Sequence, residues 1–144
     1  MNDTGDMQIF ISYAHRDARF ARELSKHLEL EGFRVFDPAV ELLPGDNWHL
    51  ETGKALEVSQ AMVVLISPEA AHSSWIQGEI GYALGSKQFQ GRLIPVEVEP
   101  THDFPWVLRK LQWIKSKGDA AEAGRQVARI LQAAGDPDVH AGAR

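Results

Sequence analysis

The chain has 144 residues, a formal charge of −5, 44% hydrophobic and 24% charged residues, and no cysteine. That length fits one domain with a sizeable buried core, and the composition is that of an ordinary globular protein. The acidic balance argues against nucleic acid as a partner, and the lack of Cys excludes disulfides, thiolate nucleophiles, Cys–zinc sites and iron–sulfur clusters.

Residues 1–6 are acidic and polar, unlike a secretory leader, and are expected to be a disordered N-terminus. No apolar run approaches the roughly 18 residues of a membrane span. The expected location is therefore the cytoplasm, with no membrane partner. Residues 7–134 are expected to form the domain. Residues 135–144, rich in Gly, Pro, Asp and small residues, are expected to be a flexible tail.

Gln8-Ile9-Phe10-Ile11-Ser12 is short, apolar and β-favouring, and predicts a buried strand. Asp17 offers an N-cap to a helix carrying Phe20, Ala21, Leu24 and Leu28 inward until Gly32. Phe33–Phe36 predicts a second strand, followed by a loop with Pro38, Pro44, Gly45 and Asp46. A helix is predicted over Trp48–Ser59, with Leu50, Ala55, Leu56 and Val58 inward. Ala61–Ile66 is apolar on both alternations, as a strand covered on both faces requires. A third helix starts near Ser73 or Ser74 and reaches Leu84. Leu93–Val98 predicts a fourth strand, in which Pro95 points to an irregular or edge position. Leu111–Ile114 is a weak fifth strand, and Ala120–Ala133 an amphipathic helix with Ala123, Val127, Ile130 and Leu131 inward. The alternation implies an α/β fold with a mainly parallel, doubly wound sheet. In such folds ligands sit beyond the carboxyl ends of the strands. That places the active region in 12–16, 37–48 and 67–79.

Several chemistries fail on their motifs. No G-x-G-x-x-G follows a strand, and Thr52-Gly53-Lys54 lacks the remainder of a phosphate loop. The paired acids of a receiver domain are missing, as are G-x-S-x-G and any His pair spaced for zinc, so no metal is expected. His27 reads as a solvated or packed helix residue. What survives is Trp75 and Glu79, four apart and so on one helical face at the predicted mouth. A carboxylate beside an indole suits a cationic or oxocarbenium-like centre. An exposed helix acid beside a half-buried anchor has the same spacing. Trp48 either stacks on a flat heterocycle or pins its loop. His15 and Arg16 either face phosphates or are simply solvated.

Together these pieces resemble the Toll/interleukin receptor (TIR) domain family. Phe10-Ile11-Ser12-Tyr13 is similar to its first box. Phe36-Asp37 and Leu43-Pro44-Gly45-Asp46 resemble its second box and mobile loop. Val63–Pro68 with Ser74-Trp75 and Glu79 resembles its third strand and following helix. Phe104-Pro105-Trp106 resembles its late aromatic box. The resemblance implies a flavodoxin-like, five-stranded sheet with helices on both faces. It also implies one of two functions: NAD+ cleavage at the nicotinamide–ribose bond, or non-catalytic signalling by TIR–TIR contact. The Ser74-Trp75-x-x-x-Glu79 pattern resembles the enzymatic branch. It makes Glu79 the catalytic residue and Phe10, Ser12, His15, Arg16, Phe36, Trp48, Ser74 and Trp75 the substrate contacts. Leu43–Asp46 would be the self-association loop. NAD+ is then a substrate, with no cofactor. The product is ADP-ribose or a cyclic isomer, and the Leu-Pro-Gly-Asp loop resembles bacterial members that serve immunity against phage. A chain with little beyond this unit is expected to work with further copies of itself and a separate sensor or effector protein.

Overall fold

The computed structural model describes residues 7–104 and 106–134. The expectations for 1–6, 135–144 and Pro105 lie outside the described residues. The strands are β1 (Gln8–Ser12), β2 (Arg34–Phe36), β3 (Ala61–Ile66), β4 (Leu93–Glu97) and β5 (Ile114–Lys115). They form one sheet in the order β2-β1-β3-β4-β5, and every neighbouring pair is parallel. The helices are α1 (Ala18–Leu30), α2 (Pro38–Glu41), α3 (Trp48–Val58), α4 (Pro68–Ala71), α5 (Ser74–Leu84) and α6 (Ala120–Ala134).

The two alternations of β1 and β3 build two cores. Ile9, Ile11, Ala61, Val63 and Leu65 pack with α1 and α6 on one face. Phe10, Met62, Val64 and Ile66 pack with α3 and α5 on the other. This is the doubly wound arrangement expected from strands that are apolar on both sides.

α1 and α6 meet closely at Gly124, where an added Cβ would stand 2.8 Å from the Cβ of His27. His27 is thus packed against α6. Gly124→Val is expected to lose about 1–3 kcal/mol through overpacking, measured by chemical denaturation.

Four expectations are corrected. Pro95 lies on a strand flanked by β3 and β5, not at an edge. It is tolerated because Val98 N–H goes to Ile66 of β3, so by alternation the Pro95 nitrogen faces β5, where pairing begins one residue later at Val96↔Ile114. The fifth strand is Ile114–Lys115 rather than Leu111–Ile114, because Trp113 instead turns back and donates its indole N–H to the Leu108 carbonyl. On α3, Leu50 and Val58 are 52% and 58% exposed. The buried face is Thr52, Ala55 and Leu56, the set that helical periodicity groups together. Asp17 precedes α1 but makes no cap bond to it. Its carboxylate accepts instead from Ser67 Oγ at 2.6 Å. Two short helices, α2 and α4, occupy stretches that carry no helical period. Each is set by a capping side chain, Asp37 or Ser67, followed by Pro.

Candidate active site

Glu79 lies on the inner face of α5 and is only 6% exposed. Ser73 opens that helix, accepting from Ile76 N–H at 3.2 Å, and Ile76, Ile80 and Ala83 seat it on the sheet. That seating brings Glu79 over the end of β1. Ser12 Oγ donates to Glu79 Oε1 at 2.6 Å, and Trp75 Nε1 donates to Oε2 at 2.8 Å. Each carboxylate oxygen therefore has one protein donor and spare lone pairs. Burial pushes the Glu79 carboxyl up from its ordinary 4.5 to about 7, against the two hydrogen bonds that favour the anion.

A cavity of about 290 Å³ opens onto this carboxylate, lined by residues that include Ser12, Tyr13, His15, Trp48, Trp75 and Glu79. Trp48 begins α3 and stands 45% exposed at the rim. Its indole therefore lines the cavity rather than being buried as a pin. Trp75 is 38% exposed, and the His49 ring leans on it with centroids 4.7 Å apart. His15 opens the short helical turn His15–Asp17 after β1.

Four expected substrate contacts are not among the lining residues. Phe10 is fully buried and stacks on Phe36, with ring centroids 5.6 Å apart. Phe10 belongs to the core on the face that carries α3 and α5, as the alternation of β1 demands, and Phe36 packs against that core. Arg16 pairs with Glu69 at 2.7 Å on the surface. Ser74 is exposed at the first turn of α5, and the cap belongs to Ser73.

One wall was not singled out from the sequence. Tyr13 donates its hydroxyl to Asp37 Oδ1, an oxygen that also accepts from Ala39 N–H at 3.0 Å. Asp37 thereby caps α2, whose Pro38 and Ala39 face the cavity. Burial is the first cause holding the Tyr13 hydroxyl protonated far above its usual range, with Asp37 second. The sequence signal was Asp-Pro, a helix start. Asp37→Ala is expected to cost about 1–2 kcal/mol by removing that cap, read by denaturant melts. The His49–Trp75 contact joins two helices and has no local signal.

Leu43–Asp46 forms a tight exposed turn. Asp46 N–H donates to the Leu43 carbonyl at 3.0 Å, and Leu43 N–H donates to Asp46 Oδ2 at 2.7 Å. Gly45 has φ +95°, the conformation that glycine supplies after Pro44. Among the described residues no cluster of three His, Cys, Asp or Glu could hold a metal ion. Nor is any helix long and apolar enough to cross a membrane.

A family model described as TIR domain matches residues 9–131. The chain is 29% identical over 99 residues to the NAD(+) hydrolase TcpA of Theionarchaea archaeon (strain DG-70-1). That match covers 68% of this chain but spans only 30% of the relative's length. Among solved structures, the TIR domain of the Toll-related receptor TRR-2 from Hydra magnipapillata aligns with TM-score 0.70 at 21% identity, covering 84% of this chain and 94% of that one. A metazoan TIR-STING receptor from C. gigas, in complex with 2′,3′-cGAMP, aligns with TM-score 0.73 at 26% identity, covering 86% of this chain and 39% of that one. The parallel sheet in this strand order and a family match over most of the length agree: the chain belongs to the TIR domain family.

Proposed function

We propose that this protein is an NAD+ glycohydrolase or cyclase that releases nicotinamide and forms ADP-ribose or a cyclic isomer. The observation that carries the reading is Glu79, a buried carboxylate held by two donors at the floor of a cavity with two indoles. The relative named an NAD(+) hydrolase supports it.

The bond to break joins ribose C1 to a positively charged ring. Its electron pair leaves with nicotinamide, which departs neutral and needs no proton. Positive charge then develops at C1 and the ring oxygen. Glu79, itself almost fully buried, stabilises that charge as the anion, and its spare lone pairs accept from the ribose hydroxyls. Water attack at C1, with loss of its proton, gives ADP-ribose. Attack by another atom of the substrate closes a ring. Trp48 and Trp75 offer faces for the nicotinamide, and His15 stands where a phosphate would leave the cavity.

A cavity of about 290 Å³ lies at the small end of ligand pockets. It suits the nicotinamide riboside half and leaves the rest of the dinucleotide for a second copy to cover. In this reading the Leu43–Asp46 turn makes the TIR–TIR contact. A cytoplasmic role in defence against phage, through a sensor or effector protein, belongs to the same proposal.

The test is nicotinamide release, with product analysis, at high protein concentration. Activity is expected to rise with pH through about 7, as Glu79 ionises. A profile flat from about pH 6 to 8 would mean that its anion does not act. A second reading is favoured by the exposed Val40, Leu43 and Leu50 around the turn. It is a non-catalytic module working by self-association, and it predicts no NAD+ loss while Gly45 variants abolish assembly.

A further inference from the structure

We infer that Tyr13 is a positioning residue for substrate binding: through Asp37 its hydroxyl holds α2, one wall of the Glu79 cavity, in the place the substrate needs. The inference takes its substrate from the NAD+ reading, while its geometry stands without it.

The walls of the cavity are anchored unequally. Ile11 and Ser12 belong to the buried β1, and Glu79 sits on a helix seated by Ile76 and Ile80. Pro38 and Ala39, by contrast, come from α2. That helix is four residues long and none of them is buried. A helix so short has no stability of its own. Its neighbours give little support, since every residue from 43 to 50 is exposed. Its backbone bonds are local: Val40 and Glu41 N–H donate to the Asp37 carbonyl, and Leu42 N–H to the Pro38 carbonyl. The wall is therefore held from its two ends, by Leu42 and Asp37, both buried. Leu42 contributes apolar packing, which has no direction. Only a directed bond fixes where the wall stands.

Tyr13 supplies that bond. Its ring packs against the core that includes residues of α1 and α6. Its hydroxyl donates to Asp37 Oδ1, the oxygen that also receives Ala39 N–H at 3.0 Å. One phenol thus ties the first turn of α2 to a core that does not move with it. Hydrogen bonds to a carboxylate are about twice as strong as neutral ones. Ser12, one residue earlier, sends its own hydroxyl to Glu79. The two neighbours at the end of β1 divide the site: Ser12 acts on the acid, and Tyr13 acts on the wall. Removing the Tyr13 hydroxyl leaves the bonds of Ser12 and Trp75 to Glu79 as they are. The loss should then fall on substrate binding and not on the chemical step.

The experiment measures KM and kcat for nicotinamide release by Tyr13→Phe, which keeps the ring. KM is expected to rise about fivefold, with kcat within about twofold of the parent. Asp37→Asn keeps an oxygen for both donors and remains a good helix cap, so its KM should stay within about twofold of the parent. Asp37→Ala should raise KM at least as much as Tyr13→Phe. Adding Tyr13→Phe to it should raise KM no further, because both changes remove the same bond. Hydrogen exchange at the Leu42 amide should quicken about fivefold in Tyr13→Phe relative to the Ile80 amide, a readout that needs no substrate. A parent that releases no nicotinamide ends the NAD+ reading and this inference with it. A parent that turns over while Tyr13→Phe keeps its KM, or loses kcat instead, overturns the inference alone. So does a double variant whose effects add, or an Asp37→Asn as impaired as Asp37→Ala. If Tyr13→Phe does not fold, Asp37→Ala against Asp37→Asn decides by the same split between KM and kcat.

Discussion

Glu79→Gln is expected to lower nicotinamide release by on the order of a thousandfold or more while leaving the protein folded. The amide has the shape of the carboxyl, so the seat of α5 on the sheet is kept. Its oxygen still accepts from Ser12, but its NH₂ cannot accept from Trp75 Nε1, and it carries no charge to oppose the one developing on ribose. Stability should move the other way. In the folded protein Glu79 binds its proton more tightly than its ordinary value of 4.5 allows, up to about 7. The folded state therefore loses stability as pH rises from about 4.5 to about 7, by roughly 3 kcal/mol in all, and stays at that lower level above. The amide has nothing to ionise. Its melting temperature should exceed the parent's at about pH 8, and the difference should shrink at about pH 4. Full activity in Glu79→Gln would end the catalytic assignment. A melting difference that does not change with pH would end the account of its burial.

Phe10→Ala is expected to cost about 3–5 kcal/mol in denaturant melts. The ring is fully buried on the face of the sheet that carries α3 and α5, and it stacks on Phe36. Deleting it leaves a void in that core. Because Phe10 touches the core and not the cavity, the fraction that stays folded should keep its KM for NAD+. A rise in KM without loss of stability would instead return Phe10 to the substrate contacts.

The contrast between Phe10 and Glu79 shows what local pattern encodes. Ile9-Phe10-Ile11 and Ala61–Ile66 announce strands covered on both faces, and from these the sheet, its layers and its ligand end follow. Glu79 was legible because one helical turn separates it from Trp75 and because the strand-end rule put that turn at the mouth. Ser12 was legible by the same rule. The resemblance grouped Phe10 and Phe36 with the substrate contacts, yet alternation along β1 turns Phe10 inward and Phe36 follows by stacking. Bonds between distant segments left no local trace. Asp17 looked like a helix cap until Ser67, 50 residues on, took its carboxylate. His49 could not be matched with Trp75, nor Tyr13 with Asp37, because periodicity says which face a residue occupies and not what meets it there. The raised Glu79 carboxyl was hidden for a related reason: it depends on how much water the finished fold excludes.

The two donors to Glu79 come from different layers. Ser12 belongs to the sheet, and Trp75 to the same helix as the acid. The carboxylate is thus a rivet between layers. If α5 slides or rolls over the sheet, the Trp75 bond travels with the acid and the Ser12 bond breaks. A partner that pushes on the outer surface of α5 would therefore be read at the acid as the loss of one bond out of two. The buried carboxylate would then double as a strain gauge for whatever docks on the back of its own helix.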